Sequence, residues 1–163
     1  MPMTPRSRTG RVAILAALAA GALAVPAVPA YADSGHPILS ADLVATSPNF
    51  PVVAGATAGG RPWVITEGEA TVSRDGRIRV EVEGLVIPVA PFNGTNPVAT
   101  LAASLACGGA VVATTAAVPF SPAGNAEIRD TIAVPASCAD PVVLLSPAGN
   151  AKVYIGITRA DDD

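Results

Sequence analysis

Four glutamates are the residues whose type and spacing most resemble a chemical site. They stand at alternate positions of two neighbouring segments and comprise Glu67, Glu69, Glu81 and Glu83. Alternate side chains of a β-strand share one face, and two carboxylates at one cleft can hydrolyse glycosides or bind calcium. Arginines at positions 74, 77 and 79 dilute their repulsion. The pattern favours a solvated outer face, then a calcium site, then catalysis.

The single histidine, His36, offers little for catalysis. It lies near the expected mature N-terminus, where chains are mobile, whereas a Ser-His-Asp hydrolase holds its histidine between a nucleophile and a carboxylate. Cleavage after Asp33 would make His36 the third residue and allow a square-planar copper site, whereas cleavage after Ala32 would not. The sequence also lacks the Gly-x-Ser-x-Gly, phosphate-loop, dinucleotide and zinc patterns. We expect no catalytic residue, no cofactor and no metal site.

The glutamates must be positioned by a β-hairpin. Ile78, Val80 and Val82 alternate with charged residues, which is typical of a half-buried antiparallel strand. A two-residue turn at Asp75-Gly76 would mix the two faces of the preceding strand. A loop of three residues, 74–76, with Gly76 left-handed in a bulge sets residue 72 opposite 78 and residue 70 opposite 80. This register also places residue 69 opposite 81 and residue 67 opposite 83.

A second hairpin is predicted around Gly108-Gly109. Its first strand runs from Val98 to Cys107, and one side of that strand carries Leu101, Ala103, Leu105 and Cys107. The β-branched run at 111–115 supplies the second strand. The alanine content of residues 98–107 leaves a helix as the alternative.

A third hairpin joins residues 142–145 to a strand with Val153, Ile155 and Ile157 on one face. Its turn, Ser-Pro-Ala-Gly-Asn-Ala at 146–151, has the same letters as residues 121–126. Proline sets φ for a turn, while glycine and asparagine accept positive φ. We therefore interpret both copies as connections between strands, with a paired ligand loop as the alternative.

Residues 87–97 contain three prolines and one aromatic residue, Phe92, and a central strand cannot hold that pattern. We predict an exposed connection that crosses from one sheet to another. Exposed loops on a rigid scaffold often carry binding function, so Phe92 and Asn93, with Trp63, form a possible ligand loop. A plain crossover with Phe92 at the edge of the core is the favoured alternative.

The N-terminus reads as a secretory signal peptide over residues 1–32. Arg6, Arg8 and Arg11 precede an apolar run, and Ala30-Tyr31-Ala32 supplies small residues two apart. Cleavage is expected after Ala32 or after Asp33, and residues 33–163 are expected to form one domain with short disordered ends. We expect no transmembrane segment after cleavage and a secreted, extracellular or envelope-associated location. An uncleaved anchor is the alternative. The mature chain keeps seven basic and thirteen acidic residues, a net charge of −6, which makes nucleic acid a poor partner.

Both cysteines, Cys107 and Cys138, lie in the mature part. Exported proteins meet an oxidising compartment, where two thiols can pair. A metal site needs more ligands than these residues supply, and a redox role favours a close Cys-x-x-Cys pair. We predict one structural disulfide that stabilises the fold by about 3 to 4 kcal/mol.

These segments predict an all-β domain, an immunoglobulin-like antiparallel sandwich of about seven to nine short strands. No convincing amphipathic helix follows the signal peptide. Four aromatic residues are expected between the sheets: Trp63, Phe50, Phe120 and Tyr154.

The mature chain resembles uncharacterised small secreted β-sandwich proteins of actinomycetes, through Gly60–Ile65, Gly84–Pro88 and Gly149–Ile155. A weaker likeness is to the neocarzinostatin-type chromophore carriers, in Leu145-Ser146 and Ala148-Gly149-Asn150. Those carriers are acidic, secreted immunoglobulin-like sandwiches with two disulfides. Because a fold hosts many functions, the likeness concerns fold.

The function we predict is a secreted, non-enzymatic binding or envelope-associated protein whose partner is an extracellular protein, a glycan or a small molecule. The alternative is an extracellular carrier of a small apolar molecule, and a secreted hydrolase is third. A carrier needs an apolar cleft near Phe92 or Trp63, whereas a binding module presents a closed core and an exposed patch.

Overall fold

The computed structural model describes residues 35–159, which form eleven strands and no helix. The strands are β1 (Pro37–Ala45), β2 (Thr57–Ala58), β3 (Glu67–Ser73), β4 (Arg77–Glu83), β5 (Thr100–Cys107), β6 (Ala110–Thr114), β7 (Val118–Pro119), β8 (Ala126–Thr131), β9 (Val142–Pro147), β10 (Val153–Tyr154) and β11 (Gly156–Thr158). The predicted all-β class is confirmed. The predicted signal peptide, its cleavage sites and the last four residues lie outside the described residues.

Nine of the strands form one curled sheet in the order β6-β5-β9-β11-β1-β3-β4-β8, with β7 beside β5. Strand β1 joins the two halves, because residues 37–42 pair with β3 and residues 43–45 pair with β11. We call β1, β3, β4 and β8 the first half, and the other five strands the second half. The strands outnumber the predicted seven to nine because three of the eleven, β2, β7 and β10, are only two residues long. Since the halves are continuous, two separate immunoglobulin-like sheets stay a prediction.

The hairpin of β3 and β4 has the predicted register. Val72 pairs with Ile78 and Ala70 with Val80, and the glutamates follow as expected. Gly76 has a φ of 92°, and its N–H donates to the Ser73 carbonyl at 3.0 Å. A side chain at position 76 would collide with the Ile132 carbonyl. The bulged loop and the single face that carries the glutamates are therefore confirmed.

The core lies between the two halves. It contains the inward residues of β4, such as Val80, and those of β5, such as Leu105, both with no exposed surface. Residues 100–107 form the predicted strand rather than a helix, and Gly108 and Gly109, both at positive φ, turn the chain into β6. The other side of β5 is buried too, since Ser104 has no exposed surface. Strand β5 is thus covered on both faces.

The predicted aromatic core is half right. Trp63 and Phe120 belong to the core between the halves, at 8% and 4% exposure. Tyr154 instead forms a second cluster with Leu144, and Phe50 packs against that cluster. Leu144 points away from the main core because its neighbours in β9 point into it. The segment 46–60, which the sequence did not assign to a layer, packs on that outer side of the second half.

The third hairpin exists, but its predicted alternation is wrong. Strand β9 pairs with β11 through Leu145 and Gly156, whereas β10 pairs in parallel with β2. The chain changes partners at Ile155, whose N–H donates to the Leu145 carbonyl. Ile155 therefore lies in the main core, and Ile157 packs against the second cluster. A strand that changes partners cannot keep a period of two across the change.

The predicted disulfide joins Cys107, the last residue of β5, to Cys138 in the segment before β9. The two Cα atoms are 4.8 Å apart across 31 positions of sequence. The Gly108 N–H donates to the Ala139 carbonyl at 2.6 Å beside it. The bridge thus ties the 132–141 connection to the end of β5.

Candidate functional site

The outward side chains of β1, β3, β4 and β8 form a surface that we call the charged face. Its acidic zone comprises Asp42, Glu67, Glu69, Glu81, Glu83 and Glu127. Its basic zone comprises Arg77, Arg79 and Arg129 with the hydroxyl residues Thr71, Ser73 and Thr131. The inward residues between them form the core, which explains why one sheet carries both surfaces.

The strand register sorts the charges of this face by sign. Glu81 pairs with Glu69 on one side and with Glu127 on the other, and Asp42 pairs with Glu69. Four carboxylates therefore cross the sheet in one row. In the next row Arg79 pairs with Arg129. Like charges directly opposite each other are destabilising, so this zoning works against stability.

Ion pairs connect the two zones. Arg79 contacts Glu81 and lies 3.8 Å from Glu127, and Arg129 donates from Nε to Glu127 at 2.6 Å. The hydrogen bond to Glu81, and then its charge, raise the pKa of Arg79, and the same contact lowers the pKa of Glu81. Because these side chains are exposed, the pairs stabilise the fold little.

Several carboxylates of the acidic zone lie outside the ion pairs found among residues 35–159. Between residues 35 and 159, no lysine or arginine forms an ion pair with Asp42, Glu67, Glu69 or Glu83. Arg77 pairs with Asp75 in the turn at 2.9 Å. The acidic zone thus keeps an excess of negative charge, whereas Arg77, Arg79 and Arg129 each form an ion pair with a carboxylate.

Four surface depressions are lined by residues of the charged face. One of about 440 Å³ lies over the acidic zone, with Arg159 at its rim. One of about 530 Å³ lies over the basic zone, and a smaller one of about 130 Å³ lies where the zones meet. The fourth, about 470 Å³, lies beside β8 and Asn125. The charged face is therefore uneven enough to hold small groups as well as a flat partner.

The predicted ligand loop lies elsewhere. Trp63 is part of the core, and Phe92 is half-buried against that core with the Arg61 guanidinium 5.3 Å from its ring centre. Asn93 is exposed, with a φ of 48°. The loop joins β4 in the first half to β5 in the second half, whereas the predicted crossing between two separate sheets stays a prediction. None of the four depressions is lined by these residues, and their binding role stays a prediction.

The structure does not bring His36 to the glutamates. His36 immediately precedes β1, and its carbonyl accepts from the Arg74 N–H at 3.3 Å, at the opposite end of β3 from Glu67. Among residues 35–159, no three His, Cys, Asp or Glu side chains are grouped to hold a metal ion. Glu81, with its lowered pKa, is a carboxylate rather than a proton donor near neutral pH.

Sequence reasoning missed two members of the acidic zone, Asp42 and Glu127. Each alternates with buried neighbours, since Ala41 and Leu43 flank Asp42, and Ile128 follows Glu127. That alternation was available as a signal for exposed positions. Their place beside Glu69 and Glu81 was not, because it depends on which strands pair.

No family model matches this chain, and neither the curated proteins nor the solved structures contain a match. The resemblances suggested by the sequence stay predictions. No helix within the described residues has the length and apolar character of a membrane span.

Proposed function

We propose that this protein is exported after removal of residues 1–32 and acts outside the cytoplasm by binding, without catalysis. Its partner is an extracellular protein, a glycan or a small molecule, and the charged face is the binding surface. The observation that carries this proposal is the separation of that face into an acidic and a basic zone.

The separation of acidic from basic residues lowers the stability of the fold. We take this loss of stability as support for a binding role. Interleaved charges would place opposite signs on neighbouring strands, whereas the observed register places Glu81 between two glutamates and Arg79 opposite Arg129. A complementary surface gains specificity and speed of association from such a pattern. The outer side of the second half is covered by the chain's own residues 46–60, so the first half offers the open face.

Retention on the envelope fraction of the producing cells tests the proposal. Arg129→Glu should reduce retention of the purified, oxidised protein, because it places a carboxylate in the basic zone. Lys152→Glu makes the same change of charge at an exposed site away from this face and is the matched control. Equal retention of both variants and the original protein would refute the charged face as the binding surface.

The proposed export is tested separately by the intact mass of the protein from culture medium. A mature chain that begins at Asp33 or Ser34, with the Cys107–Cys138 bridge formed, is expected. A mass that includes residues 1–32 would contradict signal cleavage.

A further inference from the structure

We propose that the basic zone of the charged face is a subsite for an acidic saccharide, whose carboxylate contacts the arginines and whose hydroxyls contact the neighbouring threonine and serine side chains. This deepens the proposed binding function by naming a ligand class for the same face. It rests on the composition, the unused donors and the shape of the basic zone.

The three arginines keep hydrogen-bond donors that their partners do not use. A guanidinium carries five N–H groups, whereas Arg77 and Arg79 each contact a carboxylate through Nη2. Arg79 and Arg129 also share one oxygen, Oε1 of Glu127. A planar carboxylate is the ligand that such donors bind with two hydrogen bonds, and it would relieve the repulsion between the paired arginines.

The acidic side chain that lines this depression does not compete for these donors. Asp130 lies at the wall of the depression, but its Oδ2 accepts from the Ala116 N–H at 2.9 Å and its Oδ1 accepts from the Thr131 N–H at 2.8 Å. These backbone hydrogen bonds lower the pKa of Asp130 and hold the carboxylate toward the backbone. The arginine donors beside it remain available to a ligand.

Hydroxyl groups indicate a saccharide rather than a bare anion. Thr71, Ser73 and Thr131 line the same depression, and in the part of the chain that the structure describes no side-chain hydrogen bond uses their hydroxyl oxygens. A hydroxyl both donates and accepts, as a sugar hydroxyl does. The depression of about 530 Å³ falls within the range of small-ligand sites.

The charge of the surroundings limits the ligand to a short one. The mature chain carries a net charge of −6, and the acidic zone adjoins the basic zone along β3 and β4. A long polyanion would extend over those carboxylates and be repelled. A single sugar acid, or a short oligosaccharide with one carboxylate at the basic zone, avoids this repulsion.

An NMR titration of the purified, oxidised protein with D-glucuronate tests the assignment. Saturable shifts are expected at the backbone amides of Thr71, Arg79 and Arg129, with weaker binding as added salt shortens the Debye length below about 10 Å. D-glucose should cause no such shifts. Absence of saturation at these amides overturns the proposal, and inorganic phosphate binding as tightly as D-glucuronate overturns the saccharide assignment.

Two variants with opposite effects show whether the arginines hold the carboxylate. Arg129→Gln should weaken D-glucuronate binding about tenfold, as expected for a lost charge-assisted hydrogen bond. Glu127→Gln should tighten binding, because it frees both Arg79 and Arg129 from the carboxylate that they share. Arg61→Gln, on the ring of Phe92 and away from this face, is the matched control and should change nothing. A weaker Glu127→Gln variant would contradict the proposal.

The two proposals fail in different ways. If envelope retention depends on Arg129 but D-glucuronate does not bind, the binding function stands and the saccharide assignment is wrong. If D-glucuronate binds but envelope retention does not change in the Arg129 variant, the ligand site stands and the proposed role of the charged face in retention is wrong.

Discussion

Residues 121–126 and 146–151 have identical sequences and different backbones. In the first copy the Gly124 N–H donates to the Ser121 carbonyl at 2.8 Å, and Gly124 alone has positive φ, 81°. In the second copy the corresponding bond, from the Gly149 N–H to the Ser146 carbonyl, is longer at 3.3 Å, and the Asn150 N–H also donates to the Pro147 carbonyl at 3.0 Å. Ala148 and Gly149 there have φ of 52° and 71°. Six letters are compatible with both turns, so the surroundings select one.

The first copy is held by the rest of the fold. The Leu85 N–H donates to the Gly124 carbonyl at 3.0 Å, and the Asn96 N–H donates to the Pro122 carbonyl at 2.8 Å. The Asn125 side chain accepts from the Gly84 N–H at 2.9 Å. Through these bonds the turn connects the end of β4 to the 87–97 crossover.

The second copy has one buried end and an exposed turn, whose Ala148 N–H donates to the Thr100 carbonyl at 2.8 Å. Ser146 belongs to β9, is 1% exposed and lies with its Oγ 3.0 Å from that of Ser104. The residues after Pro147 are exposed as far as Asn150. Both copies connect strands, as the sequence predicts, but only in the first is the glycine buried against another segment. Four pairs of substitutions test this difference.

The largest effect is expected from Gly124→Ala compared with Gly149→Ala. A Cβ at position 124 would lie 2.5 Å from the Leu85 nitrogen, whereas one at position 149 meets nothing within 4 Å. Both sites have positive φ, so both variants lose about 1 to 2 kcal/mol. Gly124→Ala must also displace backbone and should cost about 3 to 5 kcal/mol in total. Urea unfolding measures both, and equal losses would contradict the enclosure of the first copy.

The next largest loss of stability is expected from Asn96→Ala, compared with Asn150→Ala. Asn96 is 6% exposed, and its side chain donates to the Ser121 carbonyl at 2.9 Å and accepts from the Val98 N–H at 2.8 Å. Its loss leaves buried groups without partners and should cost about 2 to 4 kcal/mol. Asn150→Ala removes one exposed hydrogen bond, to the Lys152 N–H, and should cost about 0.5 to 1 kcal/mol. Thermal unfolding of the two variants measures both losses of stability. A larger loss for Asn150→Ala than for Asn96→Ala would contradict this prediction.

The serines should show the opposite order. Ser146→Ala removes a buried hydroxyl contact with Ser104, which keeps Thr114 as a partner, and should cost about 1 to 2 kcal/mol. Ser121→Ala removes a half-buried acceptor of the Asn125 N–H and should cost about 0.5 to 1 kcal/mol. Chemical denaturation distinguishes them. A greater loss at Ser121 would mean that the first copy is the better enclosed at every position.

The smallest effects should differ in sign. Ala148→Gly relieves an alanine held at a φ of 52° and should stabilise the fold by about 0.5 to 1 kcal/mol. Ala123→Gly, at the matching position outside the positive-φ region, should destabilise by a similar amount because glycine gains freedom on unfolding. Calorimetric melting temperatures would show one rise and one fall. Two falls would contradict the difference in backbone.

The local sequence pattern was sufficient to predict contacts between residues that are close in sequence. Alternation in residues 77–83 and the three-residue loop predict the register of β3 and β4, and with it the opposition of Glu69 and Glu81. Two cysteines in a chain predicted to be exported leave one possible pairing, which is the one found. The acidic pair at the centre of the charged face was thus available from the sequence.

The local sequence pattern does not predict which distant segments pair with each other. The sequence marks Asp42 and Glu127 as exposed, but nothing in it places β1 and β8 on either side of the glutamate hairpin. Nor does it reveal that β10 joins β2, which puts Tyr154 in the outer cluster, where its hydroxyl donates to the Pro51 carbonyl at 2.6 Å. Periodicity reports which side of a strand is buried and not which strand lies beside it.

The sequence by itself determined the all-β class, the disulfide, the first hairpin and the face on which its glutamates lie, because each follows from period, turn chemistry or a single available pair. Tertiary structure alone decided the zoning of the charged face and the two conformations of one hexapeptide. Both depend on neighbours far away in sequence, whose hydrogen bonds and packing outweigh local preferences worth about 1 kcal/mol.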